Sequence, residues 1–119
     1  MEAPDQTNGK VVIELGSGTG IAGLAILKYT QAAKVVFSDY QQSVLDLLNE
    51  NIAMQRDDSS PTAETSVELV DWNDHASWQS ILNLEKVDLV IATDVVYHGS
   101  SYPKLAELFR ALKDRYPEC

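Results

Sequence analysis

The chain has 119 residues, which bounds it to one small domain. Apolar residues make up 45% of it, enough for a real core, and 9 basic against 18 acidic residues give a net charge of −9. That balance argues against a nucleic-acid backbone as partner, because phosphate contacts need clustered Lys and Arg.

The single cysteine, Cys119, stands at the C-terminus and excludes an internal disulfide framework. No apolar run reaches the ~18 residues of a membrane span, and the polar stretch over residues 1–10 reads as an extension rather than a signal peptide. The expected setting is intracellular and soluble: the cytoplasm, with the nucleus as the alternative.

In chain order, Val11–Leu15 is a short apolar strand, followed at once by Gly16-Ser17-Gly18-Thr19-Gly20. Ile21–Tyr29 has the composition of a buried helix. Lys34–Ser38 is a second strand of β-branched and aromatic residues, closed by Asp39. Val44, Leu45, Leu48 and Ile52 recur at helical spacing within Gln41–Met54. The polar stretch Gln55–Ser66 reads as a surface connector. Val67–Val70 is a third strand ending at Asp71-Trp72, and Asp74 is placed to cap a short helix bearing Trp78, Ile81 and Leu82. Val87–Ala92 is a fourth strand leading into Thr93-Asp94-Val95-Val96-Tyr97. Pro103 suits the first turn of a last helix with the stripe Leu105, Leu108, Phe109, Leu112 and Tyr116. Strands alternating with helices predict an α/β fold: a Rossmann-like parallel sheet covered by helices on both faces.

In such sheets the ligand lies beyond the carboxyl ends of the strands. The glycine run at the first strand end lets the backbone turn sharply and approach a ligand, with the amides of the next helix behind it. Gly18-Thr19-Gly20-Ile21-Ala22-Gly23 also satisfies the dinucleotide pattern, with Asp39 about where its ribose-binding acid would stand. The charges separate the two readings. Glu14, Asp39, Asp71 and Asp94 stand at or near the four strand ends, whereas Lys10, Lys34 and Lys86 precede strands and Lys28 closes the first helix at the far edge. A crevice lined by acids disfavours the pyrophosphate of NAD and suits a cationic ligand with a ribose diol. Glu14 interrupts an otherwise apolar strand and needs a partner, either a loop hydrogen bond or the ligand. Asp39 can cap the following helix through one oxygen and meet ribose with the other. Trp72 offers either an adenine-stacking face or ordinary packing.

The runs VIELGSGTGIAGLA, VVFSDY, VELVDW and DLVIATDVVY resemble, in order and spacing, the class I seven-stranded S-adenosylmethionine-dependent methyltransferases. The form E-x-G-x-G-x-G at Glu14–Gly20 is general to that class. The Asp71-Trp72 pair and the D-x-x-Y tetrad at Asp94–Tyr97 narrow the resemblance to the family 16 type of protein-lysine methyltransferases, related to the enzymes that modify elongation factor 2, Hsp70-type chaperones and the valosin-containing AAA ATPase. The resemblance implies strand order 3-2-1-4 and S-adenosyl-L-methionine as cofactor. It implies that Gly16, Ser17 and Gly18 contact the methionine part, Asp39 binds the ribose, Trp72 packs on adenine and Ala92 lines the pocket. Glu14, Gly20, Tyr40 and Asp71 complete the expected cofactor set. Asp94 and Tyr97 are expected to face a lysine of a protein substrate, as the catalytic pair. Residues 11–119 then form the cofactor-binding half of a methyltransferase domain, ending before strands five to seven. Strand four would be a bare edge through which the chain could self-associate.

Methyl transfer to lysine needs a neutral amine placed in line with a sulfonium carbon, so positioning and electrostatics dominate. His75 and His98 lack a second pair of ligands at metal-binding spacing. Three other readings remain at this point. A nicotinamide-dependent oxidoreductase fits the glycines but not the acids. A phospho-acceptor receiver domain fits the length but lacks an acidic pair after strand one. A fragment that binds cofactor without activity is the third.

Overall fold

The structure, a computed structural model, describes residues 8–56, 63–92 and 102–119. Val11–Leu15 forms β1, in which every residue is buried, as an apolar run in a sheet covered on both faces requires. The chain then passes through the glycine turn into α1 (Ile21–Tyr29), β2 (Lys34–Asp39), α2 (Gln42–Arg56) and β3 (Glu64–Leu69). A 3₁₀ turn (His75–Trp78) runs into the short α3 (Gln79–Leu82), followed by β4 (Leu89–Ala92) and α4 (Tyr102–Arg115). The strands are all parallel and lie in the order β3-β2-β1-β4, as the resemblance implied.

Side chains alternate across the sheet, so each strand feeds two cores. Val12, Val35 and Phe37 face α1 and α2, where they meet Leu27, Leu45, Leu48 and Ile52. Ile13, Leu15 and Val36 face the other way, against Val70, Trp78, Ile81, Leu105, Leu108, Leu112 and Tyr116. The Tyr116 hydroxyl lies 2.8 Å from the Ile81 carbonyl and 2.7 Å from that of Leu84, which locks the end of α4 onto the turn after α3.

Several element limits differ from the sequence reading. β3 starts at Glu64 and not Val67, because an edge strand with one partner tolerates polar residues on its outer side. The polar connector is accordingly shorter at both ends. β4 starts at Leu89, yet the Asp88 amide already donates to the Val11 carbonyl (2.9 Å) and the Asp88 carboxylate accepts from the Val11 amide (2.8 Å). α1 is buried on one side only: Gly23 and Leu27 face the sheet, while Ile21 is 76% exposed. Phe109 stands at the margin of the α4 stripe and is 40% exposed.

Candidate cofactor site at the strand ends

The turn after β1 requires glycine. Gly16, Gly18 and Gly20 have φ of 64°, 56° and 83°, in the left-handed region that side chains disfavour. The turn is bound to β2 by a reciprocal pair of serines. The Ser17 amide donates to the Ser38 carbonyl (2.7 Å), and the Ser38 amide donates to the Ser17 hydroxyl (3.1 Å). The Ser38 hydroxyl in turn donates to the Glu14 carbonyl at 2.7 Å.

Asp39, the last residue of β2, is buried and divides its two oxygens between two tasks. Oδ1 accepts from the Tyr40 (2.8 Å) and Gln41 (3.3 Å) amides, capping the entry to α2. Oδ2 accepts from the Gly18 amide at 3.1 Å and so holds the glycine turn. Each carboxylate oxygen has two lone pairs, which leaves Oδ2 capacity for a further donor.

Glu14 is 1% exposed, and its Oε1 has no hydrogen-bond partner among the described residues. A Cβ on Gly23 would stand 2.9 Å from that oxygen, so the carboxylate lies beneath the start of α1. Burial pushes its carboxyl above the usual carboxylate range. The Ser17 hydroxyl and the Gly23 amide pull it back in smaller measure, and the Asp39 charge adds to the rise. The native protein therefore holds this proton at pH values where the unfolded chain releases it. Stability attributable to Glu14 falls as pH rises from the ordinary 4.5 through the raised value, and is flat above it. Glu14→Gln is expected to remove that decline, which urea unfolding of both proteins across the weakly acidic range would measure. Parallel pH profiles would contradict it.

At the end of β3, the Asp71 carboxylate accepts from the Asn73 amide (2.9 Å), and Asp74 caps the 3₁₀ turn by accepting from Ala76 (3.1 Å), as its position in the sequence suggested. Trp72 is half-buried, with part of its surface on the core beneath α4 and the remainder open. Tyr40 is 58% exposed beside Asp39. Ala92 ends β4 in register with Leu15. Glu14, Asp39, Asp71 and the glycine turn thus gather at one edge of the sheet. Lys34 opens β2 and Lys28 ends α1 at the other edge, and Lys86 pairs there with Asp88 at 3.3 Å. Asp94, Tyr97 and His98 lie outside the described residues, as does Thr93. No group of three or more metal-ligating side chains is found among the described residues. Two hydroxyls that the sequence reading passed over, Ser38 and Ser77, bind the site's turns. A lone serine closing a strand of β-branched and aromatic residues was the available signal for Ser38.

The family model described as lysine methyltransferase matches residues 2–119. A calmodulin-lysine N-methyltransferase of Arabidopsis thaliana is 34% identical over 109 residues, covering 92% of this chain and 34% of that protein. The protein-lysine N-methyltransferase EEF2KMT of Mus musculus is 30% identical over 121 residues, covering 96% of this chain and 36% of that protein. The chain thus spans about a third of the length of these relatives. Among solved structures, a candidate S-adenosyl-L-methionine-dependent methyltransferase of Methanococcus maripaludis superposes with a TM-score of 0.64 at 15% identity, over 88% of this chain and 43% of that one. That likeness speaks for the fold.

Proposed function

The chain belongs to the lysine methyltransferase family, and from that premise we propose that it binds S-adenosylmethionine and forms the cofactor half of an enzyme that methylates a lysine side chain of a protein. The observation that carries the reading is the glycine turn tied to Asp39 and Ser38, at a sheet edge that gathers carboxylates while the lysines lie at the opposite edge. Oδ2 of Asp39 retains capacity for a ribose hydroxyl, and the open face of Trp72 is a surface for adenine. Glu14 offers a buried carboxylate under the turn that would hold the methionine part formed by Gly16, Ser17 and Gly18. Gly20, Tyr40, Asp71 and Ala92 border the same edge. When bound, the cofactor supplies an electrophilic methyl group on a sulfonium centre.

The residues of the chain have three tasks in this reading. The first group excludes water and fixes the cofactor's orientation. Asp94 attracts the lysine ammonium and stabilises its approach until the proton passes to water. Tyr97 walls the amine in line with the methyl group. Neither of these two belongs to the described residues, and their roles rest on the D-x-x-Y resemblance. The partner is accordingly a protein presenting a lysine. The uncharged edge Leu89–Ala92 of β4, which among the described residues pairs with β1 alone, is a second contact surface through which chains would self-associate. A concentration-independent monomer by light scattering would contradict that part.

Calorimetric titration decides the main reading. Adenosylmethionine is expected to bind and NAD to give no heat beyond dilution. Binding of NAD alone would replace the methyltransferase by a nicotinamide-dependent enzyme. In an active form, Asp94→Ala is expected to abolish transfer with cofactor affinity nearly unchanged, and equal loss of both would move Asp94 into the cofactor pocket.

A further inference from the structure

The geometry points to Ser77 as the positioning residue for Trp72, holding the indole in place as the adenine platform; the inference rests on the cofactor reading above. Ser77 lies in the 3₁₀ turn, six residues from Asp71. Its hydroxyl spans the bend that carries Trp72. It accepts from the Asp71 amide at 2.9 Å, and it lies 2.7 Å from the Asp74 carbonyl and 3.1 Å from the Asp71 carbonyl. A hydroxyl has one proton, and the shorter contact takes it, so Ser77 donates to Asp74. The Asp71 carbonyl is then left to two other donors, the Asp74 amide at 2.9 Å and the Trp78 indole N–H at 3.1 Å, one for each lone pair.

The result is a closed arrangement. The backbone immediately before Trp72 is held through both its amide and its carbonyl, and the backbone two residues after it is held through its carbonyl. Trp78, which supplies the indole N–H, is itself buried in the core under α4. The Asp74 cap on the Ala76 amide fixes the 3₁₀ turn from which Ser77 projects. Among the described residues Trp72 has no comparable restraint of its own: it is half-buried, and its inner part packs on that core. Removing the Ser77 hydroxyl leaves the Asp71 amide without its partner and frees the bend on one side. The indole would then occupy several orientations, of which one fits a flat base, and part of the binding free energy goes to selecting it.

The test uses the whole chain and S-adenosylhomocysteine, with affinity read by calorimetry and folding by urea unfolding. Ser77→Ala is expected to weaken binding roughly twofold to tenfold, the range that corresponds to one neutral hydrogen bond. Ser77→Thr, which keeps the hydroxyl, is expected to restore it. In a Trp72→Ala background, Ser77→Ala is expected to add nothing, because the residue acts through the indole. Wild-type affinity in a folded Ser77→Ala protein overturns the inference, and so does a loss that adds in full to that of Trp72→Ala. If Ser77→Ala does not fold, Ser77→Cys, with its weak S–H donor, carries the same comparison. Unchanged affinity in Trp72→Ala would instead overturn the placement of adenine, a separate outcome.

Discussion

Asp39→Ala is expected to weaken adenosylmethionine binding by more than tenfold and to destabilise the fold by about 2 kcal/mol, the scale of a lost helix cap together with a charge-assisted bond. The carboxylate is buried, and its removal leaves three amides, of Gly18, Tyr40 and Gln41, without their acceptor. Two consequences separate. Loss of the bonds to Tyr40 and Gln41 loosens the start of α2 and appears in the urea midpoint. Loss of the bond to Gly18 frees the glycine turn and appears in the affinity. Asp39→Asn retains one carbonyl oxygen and so is expected to keep the cap while losing charge at the turn, giving near-native stability with weakened binding. Titration and unfolding of the two variants side by side check this. Native affinity in a folded Asp39→Ala protein would remove Asp39 from the cofactor site.

Gly23→Val is expected to destabilise the chain by on the order of 3 kcal/mol or more, enough to unfold a small domain at moderate temperature. Within a helix, replacing glycine by alanine would ordinarily gain about 1 kcal/mol of propensity, and by β-branched valine less. Here a Cβ would stand 2.4 Å from Cε2 and 3.0 Å from Cδ2 of Phe37, and 2.9 Å from the Glu14 carboxylate. Phe37 is fully buried among Leu45, Leu48 and the β1 side chains, so its ring has nowhere to retreat. Gly23→Ala is expected to show the same sign at smaller size, about 1–2 kcal/mol after the propensity gain. Thermal melts measure both. An alanine variant more stable than the parent would mean that the ring yields and helix propensity wins.

What the sequence disclosed follows the reach of local physics. Leu45, Leu48 and Ile52 are buried where their helical spacing put them, and so are Leu105, Leu108, Leu112 and Tyr116. The strand ends carried their acids in plain view, and Asp74 capped its turn as its type and place suggested. Phe109 was misread because a stripe's margin depends on what faces it, and nothing in α4 itself records that. The division of Asp39 between α2 and Gly18 needed the register of β1 against β2, in which Glu14 stands beside Phe37. Ser77 was illegible for the same reason: a hydroxyl's partners are set by folding, and a serine in a polar stretch looks like any other, whereas Ser38 left the one signal of a lone serine closing an apolar strand. The D-x-x-Y pair was read from resemblance alone.

The two cores differ in how much chain each one needs. Every buried residue of the layer under α1 and α2, from Val12 to Ala63, lies within the first 63 residues. The opposite layer draws on Ile13, Leu15 and Val36 but is completed only by Val70 to Tyr116. During synthesis from the amino end, the first layer can therefore close while the second half is still being made. At that stage Ile13, Leu15 and Val36 present an apolar wall with no cover. The glycine turn, bound to Ser38 and Asp39, is by then already set. The glycine turn is thus among the earliest parts of the molecule to acquire its shape, and the later elements assemble onto a sheet whose glycine-turn edge already exists.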